Sequence, residues 1–391
     1  MSGAPPGKGQ PHTGRHVIAP VYLAGLSAGV ALGRFIPLEA GLRADFGLSP
    51  VEFGWLVSMI TVAAALLAMP VGVRLARGDL GAVLAAGLAV MLVAGTIQAV
   101  GSSLAVLYGA RALEGLGYLL VVVTGPLVLA ACCDPETERV GLAVWSTFIP
   151  VGIALAAVAG AAGNGYGWRA AAGLTLLPCA LAFGATWPRL RGTVETSQDQ
   201  AAPTGGSGPL TLLSLGFSLI ALLSVSVLAL LPGLGADQGV GPAAGGTVTA
   251  VVSLASVPGG LLAGGLMAKG GRPRSLAMTA LVMPVAALAV FSANAWWAVT
   301  TGAAVLLVAN GLVLAVMYAT VPLLADSPGR LRQGYGLLVQ AGSVGTVLGP
   351  PAFGLAVTQV GWLAGIWLVT VVTVLGLGLF LAAARRRPDG S

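Results

Sequence analysis

Charge is scarce in this chain: acidic and basic residues together make up 8% of its 391 residues, against about 25% in an ordinary soluble domain. A water-soluble globule is therefore excluded. Histidine is nearly missing, and both copies, His12 and His16, sit near the start, so the body of the chain has no imidazole for metal or acid–base work. The three cysteines, Cys132, Cys133 and Cys179, offer neither a disulfide frame nor metal-ligand spacing, and read as filler. No Gly-rich loop ending in Gly-Lys-Ser/Thr is present, which excludes a self-contained ATP-driven pump, and nothing points to an enzyme or a bound cofactor. The net charge of +6 is spread over many loops rather than gathered on one face, so it gives no nucleic-acid footprint.

What the chain has in abundance is apolar length: 57% of it is hydrophobic and its mean hydropathy is +0.93. A membrane span needs about 20 apolar residues. Such runs are found at 17–38, 51–73, 81–101, 104–131, 141–163 and 169–187, then at 210–231, 243–268, 275–293, 296–324, 333–357 and 362–384. The first is too long for a signal-peptide core and lacks a cleavage site, so it is read as a true span. The expected architecture is all-α, with twelve transmembrane helices in two six-helix bundles, 17–187 and 210–384. Residues 1–16 and 385–391 read as tails, the former disordered. Residues 188–209, with Pro188, Pro203 and a Gly-Gly-Ser run, read as a linker.

Lys and Arg alternate with these runs. Every second gap and both tails hold Lys8, Arg15, Arg74, Arg77, Arg139, Arg189, Arg191, Lys269, Arg272, Arg274, Arg330, Arg332 and Arg385 to Arg387, while the other gaps hold only Arg43 and Arg169. Cytoplasmic loops carry the Lys/Arg excess, so both termini and the linker are expected in the cytoplasm of a cell whose plasma membrane the chain spans.

Adding 193 to a first-half number often lands on the same residue in the second half: Gly72 on Gly265, Pro135 on Pro328, Arg139 on Arg332, Gly141 on Gly334 and Gly152 on Gly345. Gly167-Trp168 meets Gly361-Trp362 with one extra residue. An even number of spans per half gives a parallel repeat about an axis along the membrane normal. The loop after the second span, Gly72-Val-Arg74-Leu-Ala76-Arg77-Gly78, and that after the eighth, Gly264-Gly-Leu-Met-Ala268-Lys269-Gly270-Gly271-Arg272, are copies of one pattern. Span 4 holds Arg111-x-x-Glu114-Gly115-x-Gly117, and span 11 holds Gly345-x-x-x-Gly349-Pro350.

Over residues 17–384 these features together resemble the major facilitator superfamily. Both loop copies carry Ala where that family's signature has Asp, and span 5 lacks the Gly-Pro pair of drug antiporters. The resemblance implies a monomeric secondary transporter in the lipid bilayer, working by rocking alternating access on a small-molecule substrate. It implies that Gly72, Arg74, Arg77, Lys269, Arg272 and Arg274 form gating latches between the halves, although membrane orientation alone also accounts for the basic ones. Gly152, Ala156, Gly160, Gly345, Gly349 and Pro350 read as helix seams on which one half slides against the other, or simply as tight packing.

Two charges lie deep. Arg34 and Arg111 sit roughly 9–10 Å beyond the midplane of spans 1 and 4 at 1.5 Å per residue. Glu114 shares a helix face with Arg111. A buried charge costs at least about 2.5 kcal/mol, so these residues are expected to face water or protein. One reading is an anion-attracting site in which Arg34 or Arg111 touches substrate or governs proton coupling, with Glu114 as the proton acceptor; the other is a structural brace. Tyr118 and Asn310 are further candidate lining residues, while Gln340 is expected to bind a neighbouring helix. The function expected is transport of a small anionic or amphiphilic organic solute, with protons as the coupling ion. The alternatives are proton-coupled multidrug efflux and a transport-dead membrane sensor or assembly partner.

Overall fold

In hydrocarbon a chain must satisfy its own backbone polar groups, and a helix does so run by run. The computed structural model, described over residues 15–75, 79–190 and 208–385, accordingly folds as helices. They are α1 (His16–Phe46), α2 (Pro50–Gly72), α3 (Leu80–Val100), α4 (Leu104–Cys132), α5 (Glu136–Gly163) and α6 (Trp168–Pro188). The second set comprises α7 (Gly208–Asp237), α8 (Pro242–Ala268), α9 (Pro273–Ser292), α10 (Trp296–Leu324), α11 (Pro328–Val360) and α12 (Ala364–Arg385). Among the described residues, eleven are long and apolar enough to cross a membrane. The other is α11, which spans 33 residues but is diluted by Gln340, by glycines and by Pro350 and Pro351. It is flanked by α7 and α2, so it needs a less apolar surface than a lipid-facing helix.

Several helices outrun the expected spans. Helix α1 continues to Phe46, α7 to Asp237, and α11 covers 328–360. Polar residues such as Glu39, Arg43 and Arg330 suggest loops, yet capping extends the helices through them. Most of the expected tails and linker, and Arg77, lie outside the described residues.

The repeat is written into caps as well as residues. Asp134 caps α5 by accepting from the Glu136 and Thr137 amides, and Ser327, 193 positions on, caps α11 by accepting from the Arg330 amide. Gly167 and Gly361 both take left-handed backbone, φ 83° and 86°, just before a tryptophan. Those tryptophans then donate to equivalent acids, Trp168 to Asp45 and Trp362 to Asp237, each at 2.8 Å.

Packing repeats too. In the first bundle α1 packs on α4, α5 and α6, while α4 packs on α2 and α3. In the second, α7 packs on α10, α11 and α12, while α10 packs on α8 and α9. The bundles meet along two seams, α2 with α11 and α5 with α8, which a two-fold axis interchanges. We call the side of the molecule that carries Arg15 and Arg385, at the start of α1 and the end of α12, the terminal face, and the opposite side the distal face.

Candidate functional site

Two helix breaks organise the first bundle. Helix α1 runs regularly only to Gly33, then passes through a tight turn at Ile36–Leu38, where Pro37 lacks a donor, before resuming at Glu39. Helix α2 is interrupted by a second tight turn at Met59–Thr61. Near such breaks, backbone carbonyls lose their partners along the helix and must find others.

Arg111 supplies those partners. Its Nε donates to the Leu56 carbonyl at 3.1 Å, and Nη2 to the Leu32 and Val57 carbonyls at 3.2 and 3.1 Å. Nη1 donates to the Ala31 carbonyl and to Glu114 Oε2, both at 2.7 Å. All five guanidinium protons are thus accounted for, four of them on carbonyls from the two broken helices. The Phe35 ring covers the group at 5.0 Å.

Arg34 completes the cluster. Its Nε donates to Thr175 Oγ1 at 2.8 Å, and Nη1 donates to Gln98 Oε1 at 2.9 Å and to Glu114 Oε1 at 2.7 Å. Gln98 donates in turn to Glu114 Oε2 at 3.0 Å. Arg34, Gln98, Arg111, Glu114 and Thr175 are all buried. Four helices of one bundle, α1, α3, α4 and α6, are tied at this point, with α2 held through its carbonyls.

The expectation of an anion-attracting site rested on one surplus guanidinium facing water. In the structure neither guanidinium faces an opening, and the surplus charge is offset by four backbone carbonyls and two side-chain oxygens. Arg34, Arg111 and Glu114 are brought together as the spacing implied, but as a dry brace in this conformation. Gln98 and Thr175 were missed. A lone amide in α3 and one hydroxyl in α6 were the available signals, and nothing in their spacing linked them to Arg34.

The second bundle is built differently. Asn310 is buried and donates to the Ile220 carbonyl at 2.8 Å, while accepting from Ser224 at 2.5 Å. It clamps α10 to α7 rather than lining an opening. Toward the terminal face aromatic rings join the buried hydroxyls of Ser214 and Thr320. Phe217 meets Tyr318 edge-on at 5.1 Å, and Tyr318 stacks on Tyr335 at 6.2 Å. Tyr318 and Tyr335 are each 37% exposed. Tyr118, from α4 of the other bundle, is buried and lies within electrostatic reach of the Tyr318 hydroxyl.

The seams also differ from expectation. Gly152 abuts Gly29 and Gly160 abuts Pro37, both on α1; Gly345 abuts Ser218 and Gly349 abuts Leu222 and Ser226, all on α7. These glycines pack each bundle against itself, so the expectation that they form the sliding surface is corrected. Ala156 is buried on the same helix as Gly152. The cross-bundle contacts use other small residues. Ala154 and Ala157 of α5 cluster with Ala250 of α8, and Gly246 faces Ala157 and Ala161. A Cβ on Gly54 would lie 2.6 Å from Pro350, and one on Gly354 would lie 2.5 Å from Pro50, so α2 and α11 nearly touch backbones there. Of the expected seam residues, Pro350 is the one brought against the opposite bundle.

These contacts belong to the distal half. Toward mid-depth they thin to hydrogen bonds from Ser253 to the Pro150 carbonyl at 2.9 Å and from Gln340 to the Ala65 and Leu66 carbonyls at 3.0 and 3.5 Å. Nearer the terminal face, Gly264, Gly265 and Gly336 look onto open space. The halves are closed distally and parted toward the terminal face. The loop basics fit that state: Arg74, Lys269, Arg272 and Arg274 are exposed, Gly72 faces Val123 of its own bundle, and Arg274 donates to the Ala384 carbonyl at the end of α12. That last contact lies within one bundle, so in this state it is no latch between halves. Asp79, beside the loop, caps α3 through the Ala82 amide.

Two helical bundles related by a parallel two-fold, closed on one face and parted on the other, define a membrane transport protein. The sequence matches the Major Facilitator Superfamily over residues 21–214 and again over 212–391, and the chain belongs to that family. Its fold is similar to that of a bacterial homolog of the human lysosomal transporter Spinster. In the inward-facing, occupied form the TM-score is 0.77 at 16% identity, covering 97% of this chain and 98% of that one. In the inward-facing, unoccupied form it is 0.73 at 15% identity, covering 96% of each. A search among curated proteins found no match.

Proposed function

We propose that this protein moves a small amphiphilic organic solute by rocking alternating access, coupled to protons, in a cell membrane whose cytoplasmic side meets the terminal face. The observation that carries this reading is the aromatic wall of Phe217, Tyr318 and Tyr335, part-exposed where the halves are parted and facing Tyr118. Stacked rings with hydroxyl tips suit a solute having an apolar body and a polar end. Among the described residues no guanidinium is in contact with these rings, which favours amphiphilic over simply anionic cargo. Arg74, Lys269, Arg272, Arg274, Arg330 and Arg385 crowd the terminal face against Arg43 and Arg169 on the distal one, which supports the orientation. Each copy contains its own pair of interchangeable seams, so the working unit is a monomer.

Glu114 is the proton acceptor in this reading. While both guanidiniums hold it, the carboxylate is fully used; opening the distal side would move the α1 and α2 breaks, part the cluster and let a proton replace one arginine. Counterflow in proteoliposomes with a panel of solutes under imposed pH gradients tests the whole. Flux that ignores the gradient for every solute transported would remove proton coupling, and a Glu114→Gln variant that stays fully gradient-driven would remove Glu114 as its acceptor. The same uncharged aromatic wall also suits lipophilic drugs, so a second reading is proton-coupled multidrug efflux. Resistance of overexpressing cells to many unrelated drugs would favour it.

A further inference from the structure

One buried acid takes no part in the brace or the aromatic wall. Glu39 opens the second segment of α1 at the distal rim, where α1 meets α7 and the start of α8. Its side chain is 9% exposed. Oε1 has one long contact, 3.4 Å to Arg43 Nη1, and Arg43 is itself 42% exposed with its Nε committed to the Leu48 carbonyl. Oε2 has no hydrogen-bond partner. Both oxygens press on the opposite bundle, for a Cβ added to Gly233 would lie 3.1 and 3.2 Å from them. A cavity of about 110 Å³ opens beside the carboxyl, walled by Pro37, Arg43, Pro232, Gly233, Asp237 and Pro242.

The charged groups facing Glu39 are Arg43 from its own helix and Asp237 from α7. From α8, Pro242 and Gly245 bring none. Asp45, one turn further on, is occupied by Trp168 and Arg169. A carboxylate held this way has lost most of its water, gained one weak and water-shared ion pair and the pull of the Gly233 amide, and faces a second acid. Burying an ionised group so poorly compensated is costly, whereas the neutral carboxyl is far cheaper to bury.

We propose that Glu39 is a proton-binding site of the distal gate: it takes up one proton from the distal water when the halves close, and returns it to the same side when they part. Closure joins a carboxylate and a proton into a neutral carboxyl, and opening reverses that, so no proton crosses through this group. Acid on the distal side therefore holds the gate shut. This inference rests on alternating access but not on which ion drives transport.

The test uses the full chain in lipid nanodiscs, with Cys132, Cys133 and Cys179 replaced by serine. Nitroxides are placed at Tyr166→Cys and Trp297→Cys, two distal positions 84% and 75% exposed on opposite bundles. Pulsed electron–electron distances are read from about pH 8 to about pH 5, a range that brackets an ordinary and a desolvated carboxyl. The short, closed population should grow as pH falls in the parent. In Glu39→Gln it should be large and no longer grow with acid, any remaining response running the opposite way through Glu114, and Glu39→Asp and Asp237→Asn should keep the parent's response. Two populations exchanging with the same pH dependence in the parent and in Glu39→Gln would overturn the site. A single distance at every pH in every variant would instead remove alternating access itself.

Discussion

At the depth where the first bundle carries Arg34, Gln98, Arg111 and Glu114, the second carries Val227, Phe291, Ala304 and Leu307, each 193 positions on. The neighbouring helices are arranged alike, so the fold itself does not require ions there. The difference lies in the backbone. Helix α7 is continuous through the depth at which α1 breaks. Helix α8 has only a one-residue interruption at Ala255, where the Ser256 hydroxyl donates to the Ser253 carbonyl at 3.0 Å. Broken helices in the first bundle create the carbonyls that Arg111 fills, and Glu114 and Arg34 balance Arg111. In the second bundle α9 has a tight turn at Met278–Leu281, but the equivalents of α1 and α2 are whole or nearly so, and the interior beside them carries aromatic surface.

If Arg111 is there to serve the breaks, its loss is the largest single effect. Arg111→Met should take the guanidinium from four carbonyls, leave Glu114 to Arg34 and Gln98 alone, and cost about 3–5 kcal/mol of stability. A change at the same depth in the second bundle, Leu307→Met at the position equivalent to Glu114, should cost less than about 1.5 kcal/mol. Thermal unfolding of both variants in the same detergent makes the comparison, and equal losses would break it. Next in size, Asn310→Ala removes the clamp between α7 and α10 and strands a buried carbonyl and hydroxyl. We expect a loss of about 1–3 kcal/mol by the same assay, with the aromatic wall still in place. Conformational balance gives a third contrast. Gly54→Ala must push Pro350 away and should shift the distal distance distribution toward open, whereas Gly264→Ala meets nothing and should leave it unchanged. Smallest of all, Trp168→Phe and Trp362→Phe remove equivalent hydrogen bonds and should each cost about 1 kcal/mol. A large asymmetry between those two would show that the repeat is looser than its caps imply.

The fold was legible because its signals are additive over long windows: runs of about 20 apolar residues and alternating loop charge. The repeat was legible from Pro135 and Pro328, Arg139 and Arg332, and the two Gly-Trp pairs. The charged cluster was half legible. Buried charge marks Arg34, Arg111 and Glu114, and helical spacing pairs the last two. Sequence could not show that α1 and α2 would break at the same depth, because Gly and Pro occur in nearly every span; without the breaks, Arg111 reads as a surplus charge seeking a ligand. The seam glycines failed for a related reason. Small-residue spacing reports close approach but not which neighbour approaches, and for Gly152 and Gly345 the neighbour was the helix of their own bundle. Glu39 was passed over because an acid four residues before an arginine at a span end looks like a solvated turn.

The division between a bracing first bundle and a binding second one is tested most directly by solute titration of thermal stability, comparing Arg34→Lys with Tyr318→Ala. The account predicts that Arg34→Lys lowers the unfolding temperature without solute but leaves the apparent Kd within about twofold, a change worth under half a kcal/mol. Tyr318→Ala should leave the unliganded temperature nearly unchanged and weaken Kd roughly fivefold or more, as expected for one lost stacking partner. A fivefold weaker Kd in Arg34→Lys, with Tyr318→Ala binding normally, would contradict it.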